Sequence, residues 1–294
     1  MKKNILYACM LSFCYNTGPQ TIYVIQNASL LGSSSTGIAL NHNLNPSNIG
    51  FLDEHISFSE NNSIHDLSGQ KISFLSILND RKSFFSFENL SSSLIPIYGN
   101  TPSDDFPLGY FDVYWYALEF ARSINLNQYF KIKSNIVLGY KIKANLYKLF
   151  TDKASSYYLD LGLNKKINDK LNFGMVINNI GNKKENISND QISGAYNNDI
   201  VLGIGFNYKI LNDLASIASD IYYRNNEMIR KISINTNFPY LNFVLGNTAY
   251  GNYHDFSYGF SLDIKGWNFV YGYLSLENPE IGNPKSIQII RNFK

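Results

Sequence analysis

Apolar and polar residues alternate with a period of two along most of the chain. Between residues 200 and 208, Ile200, Leu202, Ile204 and Phe206 share one face, and the residues between them are mostly small or polar. The same pattern recurs at 136–142, 157–163, 171–177 and 256–264. Side chains of a β-strand point alternately to opposite faces. The alternation therefore predicts strands with one apolar, often aromatic face and one small or polar face.

Extending this pattern between turn-forming residues predicts fourteen strands. Asn, Asp, Gly and Lys cluster at the turns, as in Ile264-Lys265-Gly266. The strands are predicted at 55–60, 71–77, 83–89, 113–124, 131–147, 154–164, 170–179, 199–209, 213–223, 228–237, 240–247, 255–264, 267–276 and 285–293. Several of them have about ten residues, the length of a tilted strand that crosses a bilayer.

The lengths of the connections indicate which kind of β-protein this is. The longest connections are 61–70, 90–112, 180–198 and 277–284, and all four follow odd-numbered strands. Outer-membrane barrels place long loops on one rim and short turns on the other. A soluble β-propeller or a paired sandwich also alternates, but nothing in those folds sorts loop lengths by side. We therefore predict an all-β transmembrane antiparallel β-barrel of about fourteen strands.

The first residues have the layout of a secretory signal peptide. Two lysines precede an uncharged apolar run at 5–15, which is too short to span a bilayer as a helix. A buried N-terminal strand is the alternative. Lipid attachment at Cys14 is a minor option, because Phe13 is bulky where a lipoprotein motif has a small residue. We predict a signal peptide at 1–18, an N-terminal segment at 19–52 and an outer-membrane barrel at 53–294.

Composition agrees with a chain that has two opposite surfaces. Only 16% of the residues are charged and 45% are hydrophobic, with 22 Tyr and 20 Phe, yet the mean hydropathy is only -0.18. An apolar face toward lipid and a polar face toward a lumen average to such a value. The net charge of +2 is scattered, so it does not indicate nucleic-acid binding. Both cysteines fall in the predicted signal peptide, so the rest of the chain needs no disulfide.

No motif of known catalytic chemistry is found. The four histidines are scattered, and the sequence contains no His-Glu-x-x-His, Cys-x-x-Cys or Gly-x-Ser-x-Gly motif. Gly203 and Gly205 lack the third glycine of a dinucleotide-binding loop, and strand alternation accounts for them. We expect no enzymatic activity, no cofactor and no metal.

Charged and aromatic residues on the predicted inner face are the candidate lumen residues. A barrel of about fourteen strands is too wide for small side chains to fill, so its lumen holds a plug, water or a ligand. One interpretation is a pairing network that ties the N-terminal segment to the wall. The other is a ligand path, with Trp115 lining a hydrophobic channel. The candidates are Trp115, Glu119, Lys141, Lys143, Asp160, Lys209, Asp263 and Lys265.

The stretch of small residues at 28–47, which contains Asn45-Pro46, resembles a segment of the PorV/PorQ family of outer-membrane barrels, relatives of the FadL fatty-acid transporters. Here Pro46 is followed by Ser47-Asn48 where the family often has Ala-Gly, and Asn41-His42 replace an acidic pair. Four motifs follow the family's order and approximate spacing, at 111–114, 138–143, 158–162 and 178–181.

The resemblance implies both a structural element and a function. It implies that the N-terminal segment folds into the barrel as a hatch, with Gly32, Gly37, Asn45 and Pro46 as candidate hatch residues. It also implies that the protein assists type IX secretion, with secretion components or exported cargo as partners beside outer-membrane lipid. Kinship with FadL gives an alternative, a porter for a hydrophobic small-molecule ligand, and a structural or adhesive surface barrel is the third hypothesis.

Overall fold

The computed structural model describes residues 27–62, 67–78, 81–97, 109–127, 135–149, 152–186, 193–197, 200–211, 214–251, 253–277 and 282–293. The predicted signal peptide at 1–18 lies outside these residues. No helix in the described part of the chain is long and apolar enough to cross a membrane.

Within the residues that the structure describes, two short helices precede fifteen β-strands. The helices are α1 (Ala28–Gly32) and a 3-10 helix (Pro46–Phe51). The strands are β1 (His55–Asn62), β2 (Ser68–Leu78), β3 (Arg81–Ile97), β4 (Gly109–Asn125), β5 (Asn135–Leu149), β6 (Asp152–Lys166), β7 (Leu171–Asn186), β8 (Ser193–Asn197), β9 (Val201–Ile210), β10 (Ala215–Arg224), β11 (Glu227–Thr236), β12 (Leu241–Tyr250), β13 (Tyr253–Ile264), β14 (Trp267–Ser275) and β15 (Lys285–Asn292).

The strands form one closed antiparallel barrel. Sequential strands pair from β1 to β7 and from β9 to β15, and β1 pairs with β15 to close the sheet. Strand β7 pairs with β9 over Leu171–Asn178 and with β8 over Asn182–Asn186, so β8 and β9 occupy one position in the wall. The barrel therefore has fourteen strand positions, and the predicted fold class is confirmed. Closure leaves no full-length free edge.

Burial in the strands is inverted relative to a soluble protein. In β1, Ser57 and Ser59 are buried, whereas Phe58 on the opposite face is 44% exposed. Lys71 and Lys141 are buried as well, and large apolar side chains line the outer surface of the other strands. A sandwich or propeller buries the apolar face instead. The apolar exterior and polar interior are typical of a barrel that faces lipid.

The two rims of the barrel differ. We call the rim at His55 and Asn292, where the first strand begins and the last ends, the terminal rim, and the opposite one the loop rim. The long connections after β1, β3, β7 and β14 all lie at the loop rim. The connection at 126–134, between β4 and β5, is the exception: it lies at the terminal rim and is longer than the connections after β1 and β7. The distribution otherwise follows the predicted sorting.

The barrel wall is taller than predicted on one side. Strand β3 continues to Ile97 and strand β4 already begins at Gly109, so the predicted connection 90–112 shortens to 98–108. Strands β7 and β8 likewise occupy much of the predicted connection 180–198. Backbone pairing between adjacent strands continues past the part of the wall where apolar and polar residues alternate, which is why the alternation did not reveal these extensions.

Candidate functional site

The described part of the predicted N-terminal segment, residues 27–52, lies inside the barrel against inward-facing glycines, and residues 19–26 lie outside the described residues. A Cβ atom built on Gly174 would lie 2.7 Å from the carbonyl oxygen of Ile38, and one on Gly259 would lie 3.1 Å from the Cα of Gly32. Any larger residue would displace the segment. Alternation places these glycines on the inner face of their strands, where side chains are small or polar. Their contacts with the N-terminal segment explain why larger side chains are excluded at these positions. The inner-face glycines that touch the segment are Gly139, Gly162, Gly174, Gly203, Gly205, Gly246, Gly259 and Gly272.

Asn45 and Pro46 shape the segment and attach it to the wall. The Asn45 side-chain oxygen accepts from the backbone N–H of Ser47 at 3.1 Å and so caps the 3-10 helix, with Pro46 at its first position. The Asn45 side-chain amide donates to the carbonyl oxygens of Ile38 (2.9 Å) and Leu163 of β6 (3.0 Å). One buried side chain therefore links the cap, the segment and the barrel.

A carboxylate on β10 binds the turn of the segment at Gly37 and Ile38. Asp220, which is buried, accepts from the backbone N–H groups of Gly37 at 2.6 Å and Ile38 at 3.1 Å. Gly37 has a φ of 123°, in a region that favours glycine. Sequence reasoning did not single out Asp220. Its position on the inner face of a predicted strand, beside the outward-facing Ile221, was the available signal.

Two buried ion-pair clusters lie in the lumen. In the first, the Nζ atom of Lys71 lies 3.1 Å from Glu119 and 3.4 Å from Glu88. Ser86 also donates to Glu119 at 2.8 Å. Lys71 and Glu88 were not among the predicted candidates, although both fall on the inner face of predicted strands. Their pairing shows that charges on adjacent strands compensate one another on the inner wall of the barrel.

The second cluster is centred on Asp160 of β6. Its carboxylate lies 2.6 Å from the Nζ atom of Lys143 and 3.6 Å from that of Lys141. Lys141 also donates to the carbonyl oxygen of Asn43 at 2.7 Å, and the backbone N–H of Asn179 donates to Asp160 at 2.8 Å. Asn179 has a φ of 65°, so Asp160 braces an irregular point of β7 as well as the ion pairs. Across both clusters, three cations face three carboxylates.

A cluster of apolar side chains lies between these ion pairs and the loop rim. Leu90, Trp115 and Ala117 pack together, with Leu67 and Tyr147 against them, and Trp115 is only 2% exposed. Trp115 is the register partner of both Leu90 and Tyr147. Each of these three residues lies two to four positions nearer the loop rim than a charged residue of the clusters on the same strand. On these strands, the apolar side chains of the lumen therefore lie nearer the loop rim than the charged side chains.

The remaining predicted lumen residues lie at the terminal rim. Lys209 and Asp263 are half-buried next to the ends of β9 and β13. Lys265 is exposed in the turn after β13, with a φ of 51°. These three residues therefore do not join the clusters, because the wall ends where they lie. In the described residues no group of three or more His, Cys, Asp and Glu side chains could hold a metal ion.

No protein-family model and no curated protein matches this sequence. Solved structures nevertheless resemble it over nearly its whole length. The toluene transporter TbuX of Ralstonia pickettii superposes with a TM-score of 0.62 at 11% identity, covering 92% of this chain and 98% of that one. The monoaromatic hydrocarbon channel CymD gives a TM-score of 0.62 at 12% identity, with 92% and 98% covered.

A FadL homologue from Pseudomonas aeruginosa gives a TM-score of 0.59 at 8% identity, covering 92% of this chain and 98% of that one. At such low identity the similarity is one of fold. The chain has the fold of the FadL-like outer-membrane barrels, with fourteen antiparallel strands in a closed wall.

Proposed function

We propose that this protein is an outer-membrane porter for hydrophobic small molecules. The observation that carries the proposal is the apolar cluster of Leu67, Leu90, Trp115, Ala117 and Tyr147, which lies inside the barrel on the loop-rim side of the buried ion pairs. Aromatic side chains supply large apolar contact areas with rigid geometry. A surface that is mostly apolar and partly aromatic fits a compact hydrocarbon and offers little to a charged solute.

The surroundings of the apolar cluster support the same function. The structures reported above include a toluene transporter and a monoaromatic hydrocarbon channel. In this chain, the ion-pair clusters centred on Lys71 and Asp160 lie on the terminal-rim side of the apolar cluster, and the N-terminal segment packs inside the barrel. We propose that this segment is the hatch, and that a hydrophobic molecule entering from the loop rim is held above it.

The type IX secretion role rests on the sequence resemblance. None of the structural similarities reported above is to a secretion component. That role remains a prediction. Membrane insertion, by contrast, has the support of the exposed apolar face and of the loop sorting between the rims.

Enlarging a residue of the apolar cluster tests the proposed function. Ala117 lies in this cluster, so we expect Ala117→Leu to slow toluene uptake at least tenfold in Gram-negative cells that rely on this protein for it. Ala144 is the matched control: its register partners Leu118 and Tyr157 are exposed on the outer face, so Ala144→Leu adds the same atoms toward lipid and leaves uptake unchanged. Equal uptake by the Ala117→Leu variant and the unmodified protein would contradict the proposal.

A further inference from the structure

Two lysines face each other on the outer surface of the barrel wall. Lys148 of β5 and Lys153 of β6 are partners in the strand register. They lie on the lipid-facing side, because Leu146 and Tyr157, on the same faces of these strands, are 58% and 64% exposed. Of the register pairs in the described strands, this is the only one that joins two cations. We call these two residues the lysine pair.

The lysine pair lies at the edge of the apolar band of the wall. On the outer face of β5, every second residue from Ile136 to Leu146 is apolar or aromatic, and Lys148 is the next residue of that face. At about 3.3 Å per residue and a strand tilt of about 40°, this stretch rises about 25 Å, the usual height of a lipid-facing band. Because β5 runs from the terminal rim toward the loop rim, the lysine pair is level with the lipid head groups on the loop-rim side.

The charge of the lysine pair is not compensated by an ion pair. Among the side chains that the structure describes, no carboxylate lies within ion-pair distance of either lysine. Asp112 is exposed on the outer face of β4, two positions beyond Tyr114, and it offsets only one of the two charges. Like charges directly opposite each other on adjacent strands are destabilising. An anion that contacts both ammonium groups would remove this repulsion.

Tyrosines of β4 border the lysine pair. The Nζ atom of Lys148 lies 5.6 Å from the ring centroid of Tyr114, its register partner on β4. The ring centroids of Tyr114 and Tyr116 are 5.5 Å apart. A cation–π contact orients the ammonium group without neutralising its charge. Tyrosine is also enriched at the level where lipid head groups begin, so the surface combines two cations with an aromatic border at that level.

We propose that the lysine pair binds a phosphate group of a phosphorylated glycolipid of the lipid A type, whose acyl chains lie along the apolar outer face of β5 and β6. Lysine binds phosphate as a point charge, and two lysines at one level match its negative charge. In outer-membrane barrels the long loops are extracellular, which places the loop rim at the outer leaflet. The site lies on the outside of the wall, so it stands or falls independently of transport through the lumen.

Native mass spectrometry of the detergent-purified full chain tests the proposal, with diphosphoryl lipid A as the probe. We expect the unmodified protein to retain bound lipid A, and the affinity to fall at least tenfold in the double variant Lys148→Gln/Lys153→Gln. The matched control is Arg122→Gln/Lys165→Gln, because both residues lie on the outer face at the terminal-rim ends of β4 and β6. The control removes the same charge from the opposite edge of the apolar band and is expected to bind as the unmodified protein does.

Folding of each variant is checked separately by heat-modifiable gel migration, so that lost binding is not confused with a lost barrel. Lipid A stripped of its phosphates is the second probe, and we expect it to bind the unmodified protein at least tenfold more weakly. The proposal is overturned if the two double variants bind lipid A equally, or if removing the phosphates leaves binding unchanged. Equally tight binding of phosphatidylglycerol, with the same sensitivity to loss of the lysine pair, would also overturn it.

Discussion

At the scale of single residues, the lumen is organised by charge compensation. Lys71 is shared by two carboxylates, and Asp160 is shared by two lysines while it accepts from a backbone N–H, so the charges balance only over the two clusters together. Removing one member of a buried pair leaves the other charged and desolvated, which costs more than the pair contributes. The clusters therefore act mainly as a constraint on which strands are neighbours.

Loss of Lys71 should be strongly destabilising. Lys71→Met leaves Glu88 and Glu119 close together without their shared cation, and we expect the free energy of unfolding to fall by about 3–5 kcal/mol. Urea unfolding in detergent or lipid vesicles measures the change. The control is Lys153→Met, because Lys153 is exposed on β6. A loss in Lys71→Met no larger than in Lys153→Met would show that the cluster does not stabilise the barrel.

At the scale of elements, the strands were predictable and the fit of the N-terminal segment was not. Alternation is strict wherever the wall has lipid outside and a polar lumen inside, so predicted and observed strands agree there. The extensions of β3, β7 and β8 were missed because their pairing is made by backbone atoms, which leave no periodic signal. The position of the N-terminal segment could not be predicted either, because an inner-face glycine gives the same sequence pattern whether or not a backbone packs on it.

Asp220 should control how firmly the N-terminal segment is held. Asp220→Ala removes the acceptor for the N–H groups of Gly37 and Ile38. We expect amide hydrogen exchange at these two residues to speed up at least tenfold, because each would open without breaking a charge-assisted bond. Exchange measured by mass spectrometry on pepsin fragments reports the effect.

The control for that experiment is Asp263→Ala, which removes a carboxylate at the terminal-rim end of β13. It is expected to leave exchange in the segment unchanged. If Asp220→Ala exchanges at the rate of the unmodified protein, the other contacts of the segment hold it without Asp220.

At the scale of the whole molecule, the lumen is divided into regions of different chemistry. The apolar cluster around Trp115 lies nearer the loop rim than the ion pairs on the same strands, and the N-terminal segment packs against the inner wall. Five predicted lumen residues, Trp115, Glu119, Lys141, Lys143 and Asp160, lie buried in these layers. Their partners Lys71 and Glu88 could not be assigned from sequence, because pairing across strands depends on register, and register is set by closure of the barrel.

The central claim, that a hydrophobic molecule binds at the apolar cluster around Trp115, is tested most directly by fluorescence. The chain has two tryptophans, and Trp267 is exposed on the outer face, so Trp267→Phe leaves Trp115 as the sole reporter. We expect titration with toluene to change the Trp115 emission in a saturable way. A change that rises linearly with toluene up to its solubility limit, or no change at all, would contradict the account.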